Sequence, residues 1–367
     1  MEKAFFINGG AGRVLCSIPA LEHYAETHDD FVIVAESWGE FYAMSPKLRE
    51  KAFPIHHKGL FKDHLRDKEI ISPEPYRLNA YFNQKANLIQ AFDILINGET
   101  SSFEVPETKK LSLDINKKDQ IVGHNMIQEV KETLKKDKVI VFQPFGSTVE
   151  VQGNFIIDSS GRSFELSNVV EIIKELQKDY GIIIMSQVPI PGWEQMGVAY
   201  PKDVSLLQWA GIINAADYFL GCDSVGQHLA HAVGKPATVV IGSTFPENIT
   251  YPDNKDFNVI DLGLNKRLYS PIRMVFDDIS DRVNESLMVM NESVLKKIKK
   301  AIKDKIGVSK KTVIPQLSPN TDNTPLPVLP GKKASVKSST NGFSLPGKQI
   351  NKKKPIDEIL ELNEIKN

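Results

Sequence analysis

The chain has 367 residues, with 45 Lys and Arg against 46 Asp and Glu, a formal net charge of −1 and a pI near 6.7. That balance excludes bulk electrostatic adhesion to nucleic acid, and two cysteines, Cys16 and Cys222, are too few for a disulfide scaffold or a cysteine-built metal site. The length predicts two domains, and the composition predicts a soluble globular protein in a reducing, cytoplasmic setting.

In chain order, residues 4–7 form a short apolar strand that runs into Gly9-Gly10-Ala11-Gly12. The glycines arrive before a signal-peptide apolar region develops, and no run reaches the roughly 20 apolar residues of a membrane-spanning helix. Leu15, Ile18, Leu21 and Ala25 then recur at helical spacing, and residues 31–35 read as a strand covered on both faces. Residues 44–137 are rich in His, Lys and aromatic side chains and show few clean periods. Within them, residues 92–97 are expected to form a strand, and residues 120–136 a helix that ends the first domain.

The second half is more regular. Strands are expected at 139–142, 181–185, 218–221 and 237–241. Helical stripes are expected around Leu166 to Leu176, Leu206 to Ile213 and Leu229 to Val233, the last stopped by Gly234 and Pro236. A closing amphipathic helix is expected over 283–306. Strands that alternate with helices imply parallel, doubly wound sheets with right-handed crossovers. The expected units are residues 1–137, 138–307 and a tail, 308–367. The tail carries ten lysines against five acidic residues and seven of the 21 prolines, so it is expected to be disordered. It offers a basic surface for a protein or a membrane face, and Ile356, Ile359, Leu360 and Leu362 have helical spacing.

Open α/β sheets bind ligands beyond the carboxyl ends of their strands. Three loops stand there. Gly9-Gly10-Ala11-Gly12 is neither a dinucleotide fingerprint nor a Walker loop. It reads either as a tight turn or as a backbone surface for close ligand approach. Asp223-Ser224-Val225-Gly226-Gln227-His228 joins a strand to a helix. Asp223 or Ser224 is expected to cap that helix, with the N–H groups of residues 224–227 facing an anion such as phosphate and Gly226 letting it approach. Ser243 and Thr244 follow the 237–241 strand and offer hydroxyls to the same ligand. Asp277, Asp278 and Asp281 fit the acidic start of a helix better than a metal-bound diphosphate motif. No metal site is expected, because His56, His57 and His64 lack ligand spacing. Trp193 and Trp209 read as packing residues.

The segment from Asp223 to Pro236, followed by Val239-Val240-Ile241-Gly242-Ser243-Thr244-Phe245-Pro246, resembles glycosyltransferase family 9, the ADP-heptose:lipopolysaccharide heptosyltransferases. Gly12-Arg13-Val14-Leu15 with Pro19-Ala20-Leu21 is similar to that family's N-terminal Gly-Asp segment, and residues 206–217 to the helix before its motif. The matches span about residues 1–36 and 139–246. The resemblance implies a GT-B architecture of two facing Rossmann-like domains, with the nucleotide sugar, by analogy ADP-heptose, held mainly by the second. It implies inverting, metal-independent transfer to a glycan or lipopolysaccharide-type acceptor, with no further cofactor.

On this reading Asp223, Ser224, Val225, Gly226, His228, Ser243, Thr244 and Arg162 hold the donor, and Gly10, Gly12 and Arg13 form the facing loop. Two positions depart from the family pattern. Val225 replaces a glycine, which appears one step later as Gly226. Arg13 replaces the aspartate taken as general base, and an arginine stays protonated. Glu36, His56, His57 and Asp63 are the replacement candidates. The alternatives are a catalytically silent nucleotide-sugar or glycan-binding protein, or another GT-B-like enzyme such as a nucleotide-sugar epimerase.

Overall fold

The computed structural model describes residues 2–98, 104–152, 155–268 and 284–309. The 308–367 tail beyond Ser309 and the acidic cluster Asp277, Asp278 and Asp281 lie outside the described residues.

The first half comprises β1 (Lys3–Ile7), α1 (Ala11–Tyr24), β2 (Phe31–Ala35), β3 (Ala52–Pro54), β4 (Glu69–Ile71), α2 (Asn79–Phe82), α3 (Leu88–Asn97) and α4 (Lys117–Leu134). Its four strands form an all-parallel sheet in the order β3-β2-β1-β4, with Lys3 opposite Phe31 on one side and Glu69 on the other. Residues 92–97 are helical, which corrects the expected strand. An Asn87–Gln90 capping box supplies the reason: each side chain accepts from the other residue's backbone N–H at 2.9 Å and fixes the helix start that an apolar run alone does not show.

The second half comprises β5 (Val139–Gln143), β6 (Val149–Gln152), β7 (Phe155–Asp158), α5 (Leu166–Leu176), β8 (Gly181–Ile184), α6 (Leu206–Ala215), β9 (Tyr218–Cys222), α7 (Val225–Ala232), β10 (Ala237–Ile241), α8 (Pro246–Ile249), β11 (Phe257–Asp261) and α9 (Glu292–Ile306). Five parallel strands run in the order β11-β10-β9-β5-β8, while β6 and β7 form a separate antiparallel hairpin. Strands β5, β8, β9 and β10 are buried along their whole length, as mostly apolar runs require when helices cover both faces. The closing helix starts at Glu292, where the Asn291 side chain accepts from Val294 N–H, and so is shorter than the expected 283–306.

Helix α4 lies against α6 of the second sheet, backbone to backbone. A Cβ on Gly123 would stand 2.2 Å from the Gly211 carbonyl, and one on Gly211 2.1 Å from that of Asp119. Trp193 and Trp209 are both buried, as packing residues should be.

Each sheet reverses its winding once. In the first, the chain leaves β1 for β2 on one side and returns to β4 on the other. In the second, it leaves β5 for β8 and returns to β9. At such a switch point neighbouring crossovers diverge and leave a crevice beyond the strand ends. The loops after β1 and β4, and those after β5 and β9, all open on one cavity.

Candidate active site

The cavity has a volume of about 370 Å³. Gly10, Gly12 and Arg13 line it from the first half, and Arg162, Asp223, Ser224, Val225, His228 and Thr244 line it from the second. These are most of the residues that the sequence singled out. Gly226, Ser243, Glu36, His56, His57 and Asp63 are not among its lining residues.

The start of α7 is built differently from the expectation. Neither Asp223 nor Ser224 caps the helix with its side chain. Gln143, the last residue of the adjacent strand β5, reaches across instead. Its Oε1 accepts from the Gly226 N–H at 2.9 Å, and its Nε2 donates to Ser224 Oγ at 3.1 Å. Asp223 turns to accept from Gln227 Nε2 at 2.9 Å. The Gly226 N–H is therefore occupied, and the Gln227 N–H leans on the Ser224 carbonyl at 3.3 Å. The helix end presents the N–H groups of Ser224 and Val225, fewer than expected, together with the positive end of the helix dipole. Gly226 is glycine for packing, since a Cβ there would stand 2.3 Å from Gln143 Oε1 and 2.6 Å from the Phe219 ring.

Ser243 is also structural. Its hydroxyl donates to the Ser160 and Gly161 carbonyls at 3.0 and 3.2 Å and ties the loop after β10 to the turn after β7. Thr244 is the opposite case: it lines the cavity, is 4% exposed, and its hydroxyl has no hydrogen-bond partner among the described residues. A buried hydroxyl without a partner costs free energy unless a ligand or water satisfies it.

Arg162 stands on a turn organised by Asp158, which the sequence reading missed. The Asp158 carboxylate accepts from the Thr148 and Ser160 hydroxyls at 2.7 and 2.6 Å. It also accepts from the backbone N–H groups of Ser160, Arg162 and Ser163 at 2.8, 3.2 and 2.9 Å. Burial alone would raise this carboxyl, but the bonds from Ser160, Ser163 and Thr148 outweigh it and hold it well below the usual carboxylate range. The Arg162 Nε donates to Ser160 Oγ at 3.0 Å, and among the described residues Arg162 has no carboxylate partner. Its guanidinium is thus fixed in place without a direct salt bridge among the described residues, the Asp158 carboxylate standing one hydroxyl away through Ser160. The legible signal was Asp-Ser-Ser-Gly at 158–161, an aspartate turn whose glycine has φ +62°.

On the facing side, Arg13 is 4% exposed and already engaged. Nη1 pairs with the Glu74 carboxylate at 3.2 Å, Nη2 donates to the Pro73 carbonyl at 3.1 Å, and the guanidinium covers the Tyr76 ring at 5.2 Å. It braces the loop after β4 and does not stand free as an acid or base.

The other candidates lie elsewhere. Glu36 and His56 line a separate hollow beyond β2 and β3, Asp63 folds back on the Gly59 turn, and His57 packs against Phe53 and His64.

His228 joins the two halves. Its imidazole lies under Gly12, where a Cβ would stand 2.7 Å from Cδ2, and its Nδ1 is 2.7 Å from the Tyr251 hydroxyl and 3.5 Å from Cys16 Sγ. Burial drops its pKa to about 4, so the ring is neutral near pH 7. Burial likewise pushes the Cys16 thiol up to about 12 and the Cys222 thiol higher, so neither acts as a nucleophile. Among the described residues no group of three or more His, Cys, Asp or Glu side chains could hold a metal ion, and no helix is long and apolar enough to cross a membrane.

No protein-family model and no curated protein matches the chain. Solved structures do match. ADP-heptose lps heptosyltransferase II of E. coli superposes with a TM-score of 0.56 at 12% identity, over 82% of this chain and 99% of that one. A glycosyl transferase of family 9 from Veillonella parvula gives 0.52 at 12% identity, over 83% and 97%. The iron-containing dodecameric glycosyltransferase TibC from enterotoxigenic E. coli gives 0.50 at 12% identity, over 83% of this chain and 76% of that one. The fold is therefore heptosyltransferase-like, a GT-B arrangement of parallel α/β sheets, as the sequence resemblance implied.

Proposed function

We propose that this chain is a glycosyltransferase that moves a sugar, by analogy a heptose, from a nucleoside diphosphate such as ADP to a glycan or glycolipid acceptor, with inversion and without a metal ion. The observation that carries this reading is the set of donors at the second sheet's switch point. The two N–H groups at the start of α7, the Arg162 cation, which has no direct salt bridge among the described residues, and the unpartnered Thr244 hydroxyl line one cavity, opposite the backbone of Gly10 and Gly12. In such a transfer the acceptor oxygen bonds to the anomeric carbon as the carbon–diphosphate bond breaks, the hydroxyl proton passes to water, and negative charge grows on the leaving group. Fixed N–H dipoles and a guanidinium stabilise that charge without reorganising during the reaction.

One observation favours a second reading, binding without transfer. Arg13 stands where the resembling family carries its base. Among the described lining residues Asp223 is the only carboxylate, and it belongs to the donor side.

A thermal-shift panel of ADP, GDP, UDP, CMP and their sugars tests the proposal, with Thr244→Val and Arg162→Gln alongside. A nucleotide at 100 times its Kd stabilises by about 2.7 kcal/mol, a shift of several degrees. The expected result is a shift with one nucleotide that shrinks in both variants, followed by acceptor-dependent release of that nucleotide. A shift without turnover on any acceptor selects the silent binder. No shift with any nucleotide removes the donor site altogether.

A further inference from the structure

We infer that the acceptor side of the cleft takes a neutral saccharide, held by stacking on an aromatic wall and not by charge. The inference rests on the preceding reading only for which half faces the acceptor.

The first half contributes Trp38, Tyr76, Tyr81 and Phe82 to the cavity lining, with Arg13 as its one charged member among the described residues. The Tyr76 and Tyr81 rings meet edge to face at 5.5 Å, and Phe82 is 52% exposed, unusually open for a phenylalanine. Trp38 holds its place from a left-handed backbone, φ +62°, a conformation that a bulky residue adopts only when its surroundings require it. The wall is also fixed. Asn248 of α8 donates to the Tyr81 and Ala86 carbonyls at 2.8 and 2.9 Å, so the turn that carries Tyr81 and Phe82 is pinned to the donor half.

The charge pattern excludes the anionic alternative. An acceptor bearing carboxylate or phosphate needs a cation, because an unpaired charge in a half-closed cavity loses its hydration without return. Arg13 cannot serve as that cation, because Glu74 neutralises it and Tyr76 covers its face. The other cation of the lining, Arg162, stands across the cavity where the diphosphate belongs, with no direct salt bridge among the described residues.

Tyrosine rings have an apolar body with a polar tip, and a sugar presents a C–H face with hydroxyl edges, so the two match. A lipid chain would instead require a continuous apolar lining, which the glycine backbone and the phenol groups interrupt.

Saturation-transfer NMR on the full chain, with and without ADP, tests this. The probes are methyl β-glucoside, methyl β-galactoside and N-acetylglucosamine against glucuronate and galacturonate. The expected result is transfer to at least one neutral sugar, none to the uronates, and a three- to tenfold loss of affinity in both Tyr81→Ala and Phe82→Ala, with the Tm unchanged in Phe82→Ala, whose ring is half-exposed. Signal from the uronates alone, from no saccharide, or from a neutral sugar indifferent to both variants overturns the inference, as does a long-chain alkyl glycoside that binds through its chain only. Loss of ADP binding in the same variants would make the wall a base-stacking surface and overturn it too. If ADP fails to bind the unaltered chain while neutral sugars still stack, the donor reading falls and the aromatic wall stands.

Discussion

The side-chain amide of Gln143 bonds the start of α7 twice: it accepts from the Gly226 backbone N–H at 2.9 Å and donates to the Ser224 hydroxyl at 3.1 Å. It therefore caps α7 from a neighbouring strand and sets which of that helix's N–H groups remain for a ligand. Substitution by Leu leaves a buried N–H unsatisfied and is expected to cost about 1–3 kcal/mol by denaturant unfolding. Gln143→Glu separates the two roles. A carboxylate still accepts from Gly226 and suits the helix dipole, so the cap is kept, at the cost of burying a charge at a residue only 6% exposed. Nucleotide affinity, measured by calorimetry, should fall at least tenfold because a negative charge now stands beside the diphosphate. Equal affinity would place the phosphates away from α7.

Asp158 gathers five donors and positions Arg162 and the Thr148 loop. Asp158→Ala is expected to destabilise by at least about 2 kcal/mol, since bonds to a charged acceptor are worth more than neutral ones. Nucleotide affinity should fall together with that of Arg162→Gln, and the double variant should be barely worse than either single one. Full additivity in that cycle would mean that Asp158 does not act through Arg162.

Acid sensitivity follows from one buried and one partly buried histidine. Burial drops His228 and His231 from the ordinary 6.5 to about 4 each, so the unfolded chain binds more protons between those values. Stability is then complete above about pH 6.5 and is lost as pH falls toward 4, by roughly 3 kcal/mol per histidine at full effect. Melting curves from pH 7.5 to 4.5 check this. His231→Phe keeps the ring stacked on Tyr251 but cannot titrate, so its curve should be flatter. An equally steep fall in that variant would assign the acid loss to other groups.

The crossing of α4 and α6 has no room for a side chain at Gly123 or Gly211. Each Gly→Ala change is expected to cost about 1–3 kcal/mol by forcing the helices apart, despite alanine's better helix propensity. A stabilised Gly123→Ala chain would show that this contact is looser than described.

The sequence alone determined β5, β8, β9 and β10 and the helices α5, α6 and α7 between them, whereas the β6–β7 hairpin, α8, β11 and the start of α9 came only with the structure. Short runs rich in Val and Ile at 139–142, 181–185 and 237–241 are buried on both faces, and that pattern is local. It also pointed to the loops that line the cavity, because ligand sites in open α/β sheets follow strand ends and helix starts. Tertiary structure alone decided which atoms in those loops are free. Gly226 and Ser243 read as ligand groups in the sequence, yet their bonds go to Gln143, Ser160 and Gly161, partners that lie up to 83 positions away. Arg13 and Glu74, 61 positions apart, cancel each other's charge only because β1 and β4 are neighbours in the sheet. Spacing along the chain encodes helices and strands, whose contacts are short-range. Whether a hydroxyl, an N–H or a charge remains available to a ligand depends on what the folded chain brings within about 3 Å of it.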